Sequence, residues 1–452
     1  MKKIVTILLV MKVVSATAQV KLPMLKISPN GRFFQTQDGK PFFWLGDTGW
    51  LLFSKCSREE AIQYLETRKQ QGFNVVQVMV IHELDVKNVY GDSALMNQNL
   101  AEPDTSSRQN FWNHVDFIVN EAEKRGIYMA MVAVWGSNIK SGKVSTAQAG
   151  VFAKFLANRY KSRSNIIWLN GGDINGNDGI DIWKEIGTTL NKIDKNHLIG
   201  YHPRGRHSSS EWFHNESWMD FNMFQSGHRT YAQDTSSNET LHYGEDNWKY
   251  VNTDYALKPI KPTLEGEPSY ENIPHGLHDS LQPRWKDADL RRYAYWSVFA
   301  GGAGFTYGEN AVMQFHTPGD RDANYGVNTN WKHTINAPGA TQMKYLKALM
   351  LSKPYFERRP AQEIIALNNQ EKYNYTLATK GKSYAMAYTY TGSNIYIDFS
   401  KLGFIAAKTS WFNPRDGKKT IPVANFKKPG IVEFNPPGEP AEGNDWVLVM
   451  ER

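Results

Sequence analysis

The sequence predicts a (β/α)8 TIM barrel with a C-terminal β-sandwich domain. Three observations lead there. Eight short apolar runs each end in polar or acidic residues, and helical segments separate most of them. After about Pro354 the pattern changes to short alternating strands with Gly/Asn turns and no long helical repeat. Strands alternating with helices favour a parallel sheet covered by helices, and a run of short strands after them favours a separate sandwich. An open nucleotide-binding sheet would require a G-x-G-x-x-G turn after its first strand, and Gly46-Asp-Thr-Gly49 does not supply one. The barrel is expected over residues 25–354 and the sandwich over 355–452. A chain of 452 residues has room for both.

The elements follow in order. After a linker, the segment Gly39 to Trp50 gives a turn and a first strand that ends near Asp47. Ser57-Arg-Glu-Glu60 is a capping box and opens a helix that stops at Gly72. Asn74 to Ile81 is the second strand and delivers His82 and Glu83. Phe111, Val115, Ile118, Val119 and Ala122 recur at helical spacing up to Gly126. Ile127 to Val134 is the third strand, ending at Trp135, and Ser145 to Tyr160 is the next helix. Asn165-Ile-Ile-Trp-Leu-Asn-Gly-Gly-Asp173 is the fourth strand, with a helix around Ile180 to Ile193 behind it. His197 to Tyr201 delivers His202 and Arg204, and Met219 to Gln225 delivers His228. Lys261-Pro-Thr-Leu-Glu-Gly-Glu267 is the seventh strand, a helix covers Ala288 to Phe299, and Gly304 to Glu309 is the eighth. Tyr373–Thr379, Ser383–Tyr390, Asn394–Phe399 and Trp446–Glu451 are expected strands of the sandwich.

Bulk properties narrow the function. Net charge is +7, yet no Lys/Arg run exceeds a pair, which argues against a nucleic-acid partner and leaves an acidic polysaccharide as a fitting one. One cysteine, Cys56, excludes an internal disulfide and a multi-thiolate metal site. Lys2 and Lys3, the apolar Ile4 to Met11, and Ala16-Thr17-Ala18 read as a secretory signal over residues 1–18, with Lys12 interrupting the apolar stretch. A periplasmic or secreted location follows as an expectation. No other segment is long and apolar enough to span a membrane. The 14 Trp and 22 Tyr suit packing against the C–H faces of sugars.

Catalytic groups of such a barrel sit at the C-terminal ends of its strands. Asp173 and Glu267 end the fourth and seventh strands, which face each other across the mouth. Two carboxyl groups so placed are what cleavage of a glycosidic bond requires: one protonates the leaving oxygen, and the other attacks the sugar carbon or directs water to it. The structural alternatives are a helix cap for Asp173 and a buried ion pair for Glu267. Glu265 competes with Glu267, because strand alternation puts both on one side; Glu267 is preferred as nearer the strand end. Asp47, His82, Trp135, His202, Arg204, His228, Glu271 and Tyr307 follow strand ends and are candidates for substrate binding, with Glu309 beside them. A resident metal or other cofactor is not expected, since the chain has no His-x-His or His-x-x-x-His pair. A catalytically silent carbohydrate-binding protein on the same scaffold is the rival reading, and the presence of both acids argues against it. Sugar, linkage and oligomeric state stay open.

Phe43-Trp-Leu-Gly-Asp47-Thr, Trp168-Leu-Asn-Gly-Gly-Asp173 and Glu265-Gly-Glu267-Pro-Ser-Tyr-Glu271 resemble the apiosidase-like glycoside hydrolases. Trp411-Phe-Asn-Pro-Arg-Asp-Gly417 resembles the β domain, named for collagen binding, that such proteins often carry C-terminally. The resemblance implies a retaining clan with its acid/base on Asp173 and its nucleophile on Glu267. It also implies polysaccharide breakdown, with cleavage at apiose in pectin side chains among the activities. Much of the clan has Asn-Glu at the fourth strand, whereas this chain has Gly-Asp, one methylene shorter. The C-terminal domain is read here as structural.

Overall fold

The computed structural model describes residues 21–234, 243–367, 369–406, 408–420 and 430–452. The secretory signal expected over residues 1–18 lies outside the described residues. Eight parallel strands form the barrel: β1 (Trp44–Thr48), β2 (Val75–Ile81), β3 (Tyr128–Val134), β4 (Ile166–Ile174), β5 (Ile199–Pro203), β6 (Asn222–Gln225), β7 (Thr263–Glu265) and β8 (Gly304–Tyr307). They hydrogen-bond in the order β5-β4-β3-β2-β1-β8-β7-β6. Between β5 and β6 the ladder gives way to a side chain. Asp220 N–H donates to the Ile199 carbonyl at 2.8 Å, and the Asp220 carboxylate accepts Ile199 N–H at 2.8 Å. Those two bonds close the ring.

Helices follow the strands: α1 (Arg58–Gln70), α2 (Phe111–Lys124), α3 (Thr146–Tyr160), α4 (Ile180–Ile193), the single turn α5 (Ser210–Phe213), α6 (Trp248–Ala256), α7 (Asp287–Phe299) and α8 (Pro338–Leu351). The capping box expected at Ser57 forms with Glu60, and a second joins Ser145 to Gln148. Each satisfies two backbone N–H groups that a helix start leaves free. Strand alternation sorts the core. In β3, Met129, Met131 and Ala133 face the helices, while Ala130 and Val132 face the barrel interior.

The segment before Gly39, expected as a linker, instead forms the strands Leu25–Ile27 and Phe34–Thr36, which make a small antiparallel sheet with Pro41–Phe42 from the segment expected as the turn and first strand. Its apolar side closes the barrel floor: Phe34 packs on Trp44 at 5.8 Å and edge-on to Phe221 at 5.3 Å. Too short for a clear period, it gains its order from the barrel end it covers.

The C-terminal domain contains β9 (Arg359–Pro360), β10 (Leu377–Lys380), β11 (Tyr384–Thr389), β12 (Ile395–Asp398), β13 (Lys408–Phe412), β14 (Ile431–Phe434) and β15 (Trp446–Glu451). Among the described residues these make a five-stranded antiparallel sheet, β9-β10-β11-β15-β13, and a β12-β14 pair. Ala385, Ala387, Leu448 and Met450 share a core with Ile395, Ile397 and Phe434 of the small sheet. On the opposite face of β11, Tyr384, Met386 and Tyr388 belong to the barrel's core, and Tyr388 stacks on Tyr295 of α7 at 4.8 Å. The larger sheet is therefore buried on both sides. The strand expected from Tyr373 begins only at Leu377, because a 3-10 turn takes Lys372–Asn374.

One buried ion pair ties β1 to α1 and to the segment before α8. Arg68 Nε donates to Asp47 Oδ2 at 2.6 Å, and its Nη1 reaches the carbonyl of Ile335 at 2.7 Å. Both side chains are fully buried. Arg68→Met should destabilise the fold by about 3–5 kcal/mol, because it strands the Asp47 charge in the interior. Urea unfolding measures this, and a loss below about 1 kcal/mol would contradict the role given to the pair.

Candidate active site

A cleft of about 340 Å³ opens at the C-terminal ends of the barrel strands. Asp173, at the end of β4, and Glu267, two residues past β7, both line it. At Asp173 the strand departs from regular geometry. Gly171, Gly172 and Asp173 have φ of 83°, 110° and 49°, and the β4–β5 register shifts between Gly171 and Ile174. A Cβ on Gly172 would sit 2.5 Å from the Trp135 ring, and one on Gly171 would sit 2.5 Å from the His202 carbonyl. Glycine is required at both positions by conformation and by space. The resulting bulge aims the carboxyl of Asp173 into the cleft, at a backbone angle that non-glycine residues take rarely and chiefly at functional sites.

Glu267 is held between two imidazoles. His228 Nε2 is 3.1 Å from Oε1, and His202 Nε2 is 3.3 Å from Oε2. His202 Nδ1 accepts the backbone N–H of Asp173 at 3.5 Å, which leaves the Nε2 proton facing Glu267. The backbone beside Glu267 is pinned from two sides: Gly266 N–H donates to the Phe224 carbonyl at 2.8 Å, and Gln77 Nε2 donates to the Gly266 carbonyl at 2.8 Å.

Environment separates the acids. Burial works to raise Glu267, but its hydrogen-bonding and electrostatic contacts with His202 and His228 outweigh it and bring the group down to about 2. Asp173 is pushed up to about 6, by burial first and then by the Glu267 charge. Its side chain is recessed among protein atoms yet open to the cleft. Glu265 is fully buried outside the cleft. Its Oε1 accepts Ser226 N–H at 2.9 Å, its Oε2 accepts Asn247 Nδ2 at 2.9 Å, and burial pushes it up to about 8. Of the two glutamates, only Glu267 reaches the cleft, because β7 ends at Glu265 and the chain turns away after it.

His82, Trp135, Arg204 and His228 line the cleft as strand-end position suggested, and His202 lies directly beneath as the support of Glu267. Asp47, Glu271 and Tyr307 do not line it, which corrects their expected sugar-binding role. Asp47 is the buried partner of Arg68. Tyr307 donates to Glu271 Oε2 at 2.5 Å, and Glu271 also accepts Gly339 N–H at 3.0 Å, so these two join the rim to α8. Glu309 caps the turn Asn310–Met313 through the N–H groups of Ala311 and Val312.

The cleft holds further residues. Trp50 packs against Trp135 at 5.2 Å and donates to the Tyr270 hydroxyl at 3.2 Å, while Tyr270 lies edge-on to His228 at 4.9 Å. Tyr325, Arg206 and Arg229 add to the walls. Trp50, Arg229 and Tyr270 lie within three residues of groups singled out from sequence and could have been found by extending each strand end. Tyr325 sits in a long connection without periodicity, and no sequence signal marks it.

The profile of the apiosidase-like catalytic domain family matches residues 28–357, and that of a family named for the collagen-binding domain of a collagenase matches residues 359–451. No curated protein matches the chain. A solved structure titled "Glycoside hydrolase" is 44% identical, with TM-score 0.91 over 95% of this chain and 97% of its own. A glycoside hydrolase family 5 protein from Bacteroides vulgatus is 41% identical, with TM-score 0.91 over 95% of both chains. A second Bacteroides vulgatus structure shares the fold at 15% identity and TM-score 0.64 over 95% of this chain and 82% of its own. With its catalytic region matched from residue 28 to residue 357, this chain belongs to the apiosidase-like glycoside hydrolase family.

Proposed function

We propose that the enzyme cleaves O-glycosidic bonds of a plant-type polysaccharide by a retaining, two-carboxylate mechanism. The observation that carries this is the opposed state of two acids in one cleft: Glu267 ionised between His202 and His228, and Asp173 protonated up to about pH 6. Asp173 donates its proton to the leaving oxygen while the Glu267 carboxylate attacks the anomeric carbon. The C–O bond to the leaving group breaks as the glycosyl ester forms. Asp173, now a carboxylate, takes a proton from water, which opens the ester with a second inversion. A carbohydrate-binding protein without catalysis would have no need of this separation of protonation states.

A pectin-derived, acidic substrate fits the walls. Arg204 and Arg229 lie on the cleft, the chain carries +7 overall, and the half-buried rings of Trp135 and Tyr325 line it where sugar rings would pack. Cleavage at apiose in pectin side chains is the activity that the family suggests. Such a polymer lies outside the cell, in keeping with a periplasmic or secreted enzyme and with the basic, apolar and small-residue pattern of residues 1–18.

Three results are expected. Asp173→Asn and Glu267→Gln should each keep the fold and lower kcat by a factor on the order of 10² or more, since an amide neither donates the proton nor attacks. Glu265→Gln should cost far less, because its carboxyl never meets the substrate. Assays on apiose-bearing pectic oligosaccharides decide this, and full turnover by Glu267→Gln would end the assignment. The pH profile of kcat/KM should be bell-shaped and acidic. Activity falls above about pH 6 as Asp173 loses its proton, and below about pH 2 as Glu267 gains one. A maximum in alkaline solution would contradict it. Acidic oligosaccharides should bind better than neutral ones of equal length, and salt should weaken the preference, since exposed charges are screened over about 10 Å at 0.1 M. Isothermal titration at two salt concentrations tests that, and equal affinity for neutral glycans would refute it.

A further inference from the structure

The connection from β6 to α6 carries His228, one of the two imidazoles on Glu267, and the C-terminal domain grips that connection. Tyr373, in the turn before β10, donates its hydroxyl to Glu245, 3.1 Å from Oε1 and 3.0 Å from Oε2. Glu245 is buried. Its Oε1 accepts the backbone N–H of Tyr231 at 2.7 Å, and its Oε2 accepts Arg292 Nη2 at 2.5 Å. The Tyr373 ring also packs on Tyr231 at 5.3 Å, and Tyr375 stacks on Trp248 at 4.4 Å and 6°. Tyr231 is three residues past His228.

The two imidazoles are anchored at different nitrogens. His202 accepts the backbone N–H of Asp173 at Nδ1, 3.5 Å away, while its Nε2 lies 3.3 Å from Glu267 Oε2 without making a hydrogen bond to it. The Nδ1 of His228 is buried without a hydrogen-bond partner among the described residues. Its ring touches Glu267 at Nε2 and the edge of Tyr270, and its backbone is held at the carbonyl by Gly276 N–H at 2.7 Å and Trp285 Nε1 at 3.3 Å and, three residues on, by the Tyr231–Glu245 bond. With no hydrogen-bond partner on its far ring nitrogen among the described residues, the ring takes its orientation from the backbone on either side of it.

We propose that the C-terminal domain is part of the catalytic unit, with Tyr373 a positioning residue that holds His228 against Glu267 through Glu245 and the Tyr231 backbone. The proposal rests on Glu267 acting as the nucleophile. The domain then has work to do in catalysis that needs no second ligand. It also explains why the contact is polar and directed: a purely apolar interface would join the domains without fixing the loop.

The test uses the full chain with Tyr373→Phe, which keeps the ring, and Glu245→Gln, which keeps the shape. Tyr396→Phe is the control. It removes another hydroxyl of the same domain, one bonded to Glu433 on the exposed β12–β14 face. The first readout needs no substrate. In protein labelled with 15N-histidine, the Nε2–H signal of His228, assigned by its loss in His228→Asn, should shift in both test variants and stay put in the control. The second is kinetic, on apiose-bearing pectic oligosaccharides. Removing one hydrogen bond should lower kcat roughly twofold to tenfold with little change in KM, and should raise the acid limb of the pH profile, since a weaker imidazole contact holds the carboxylate less firmly. In a His228→Asn background, Tyr373→Phe should have no further effect on kcat. An unmoved His228 signal in both test variants, or losses that simply add in the double variant, would overturn the proposal. Full activity in Glu267→Gln would instead overturn the functional reading, and the histidine signal would still decide whether the domain positions the loop.

Discussion

The carboxylate of Glu267 between His202 and His228 is the constraint on which the site depends. It needs three neighbouring strands to end at matched heights: β5 brings His202, β6 leads to His228, and β7 leads to Glu267. The parallel register of Phe224 with Glu265, and the Gly266 bonds to Phe224 and Gln77, set that match. The same contact reaches the other acid. His202 receives the backbone N–H of Asp173 on its far nitrogen, so one ring touches the backbone of one acid and the carboxylate of the other. Once Glu267 is charged, its field helps keep the proton on Asp173.

Four neighbouring acids show how environment divides roles among similar groups. Glu267 has two imidazoles and stays charged. Glu265 is equally enclosed but meets only a backbone N–H and an amide, and burial wins, near 8. Glu271, with Tyr307 and Gly339 N–H as partners, is pushed up to about 7. Asp173, with cleft on one side and Glu267 on the other, settles near 6. Only the first and last share a cavity with room for a sugar.

Periodicity and caps made the scaffold legible. Ser57 with Glu60 marked α1, and the apolar runs ending at Ile81, Val134 and Asp173 marked three barrel strands within a residue or two. Strand ends also pointed to the rim acids, because barrel geometry places strand ends at the mouth. Direction was not legible. Asp47 ends β1 as Asp173 ends β4, but it meets Arg68, which is also held by Gln71 nearby and by Ile335, 267 residues away in the chain. Such long-range partners decide whether a rim acid faces substrate or protein, and spacing carries no trace of them. The grip of Tyr373 on Glu245, across 128 residues, was hidden for the same reason.

The central claim is that Glu267 forms the bond to the sugar. Incubation with a 2-deoxy-2-fluoro glycoside bearing a good leaving group, which slows opening of the ester more than its formation, followed by peptide mass mapping, tests it directly. The account predicts one glycosyl adduct, located on Glu267 within the peptide that spans Glu265 to Glu271, and none in Glu267→Gln. An adduct on Glu265 or Glu271, or turnover to an inverted product with no adduct at all, would contradict it.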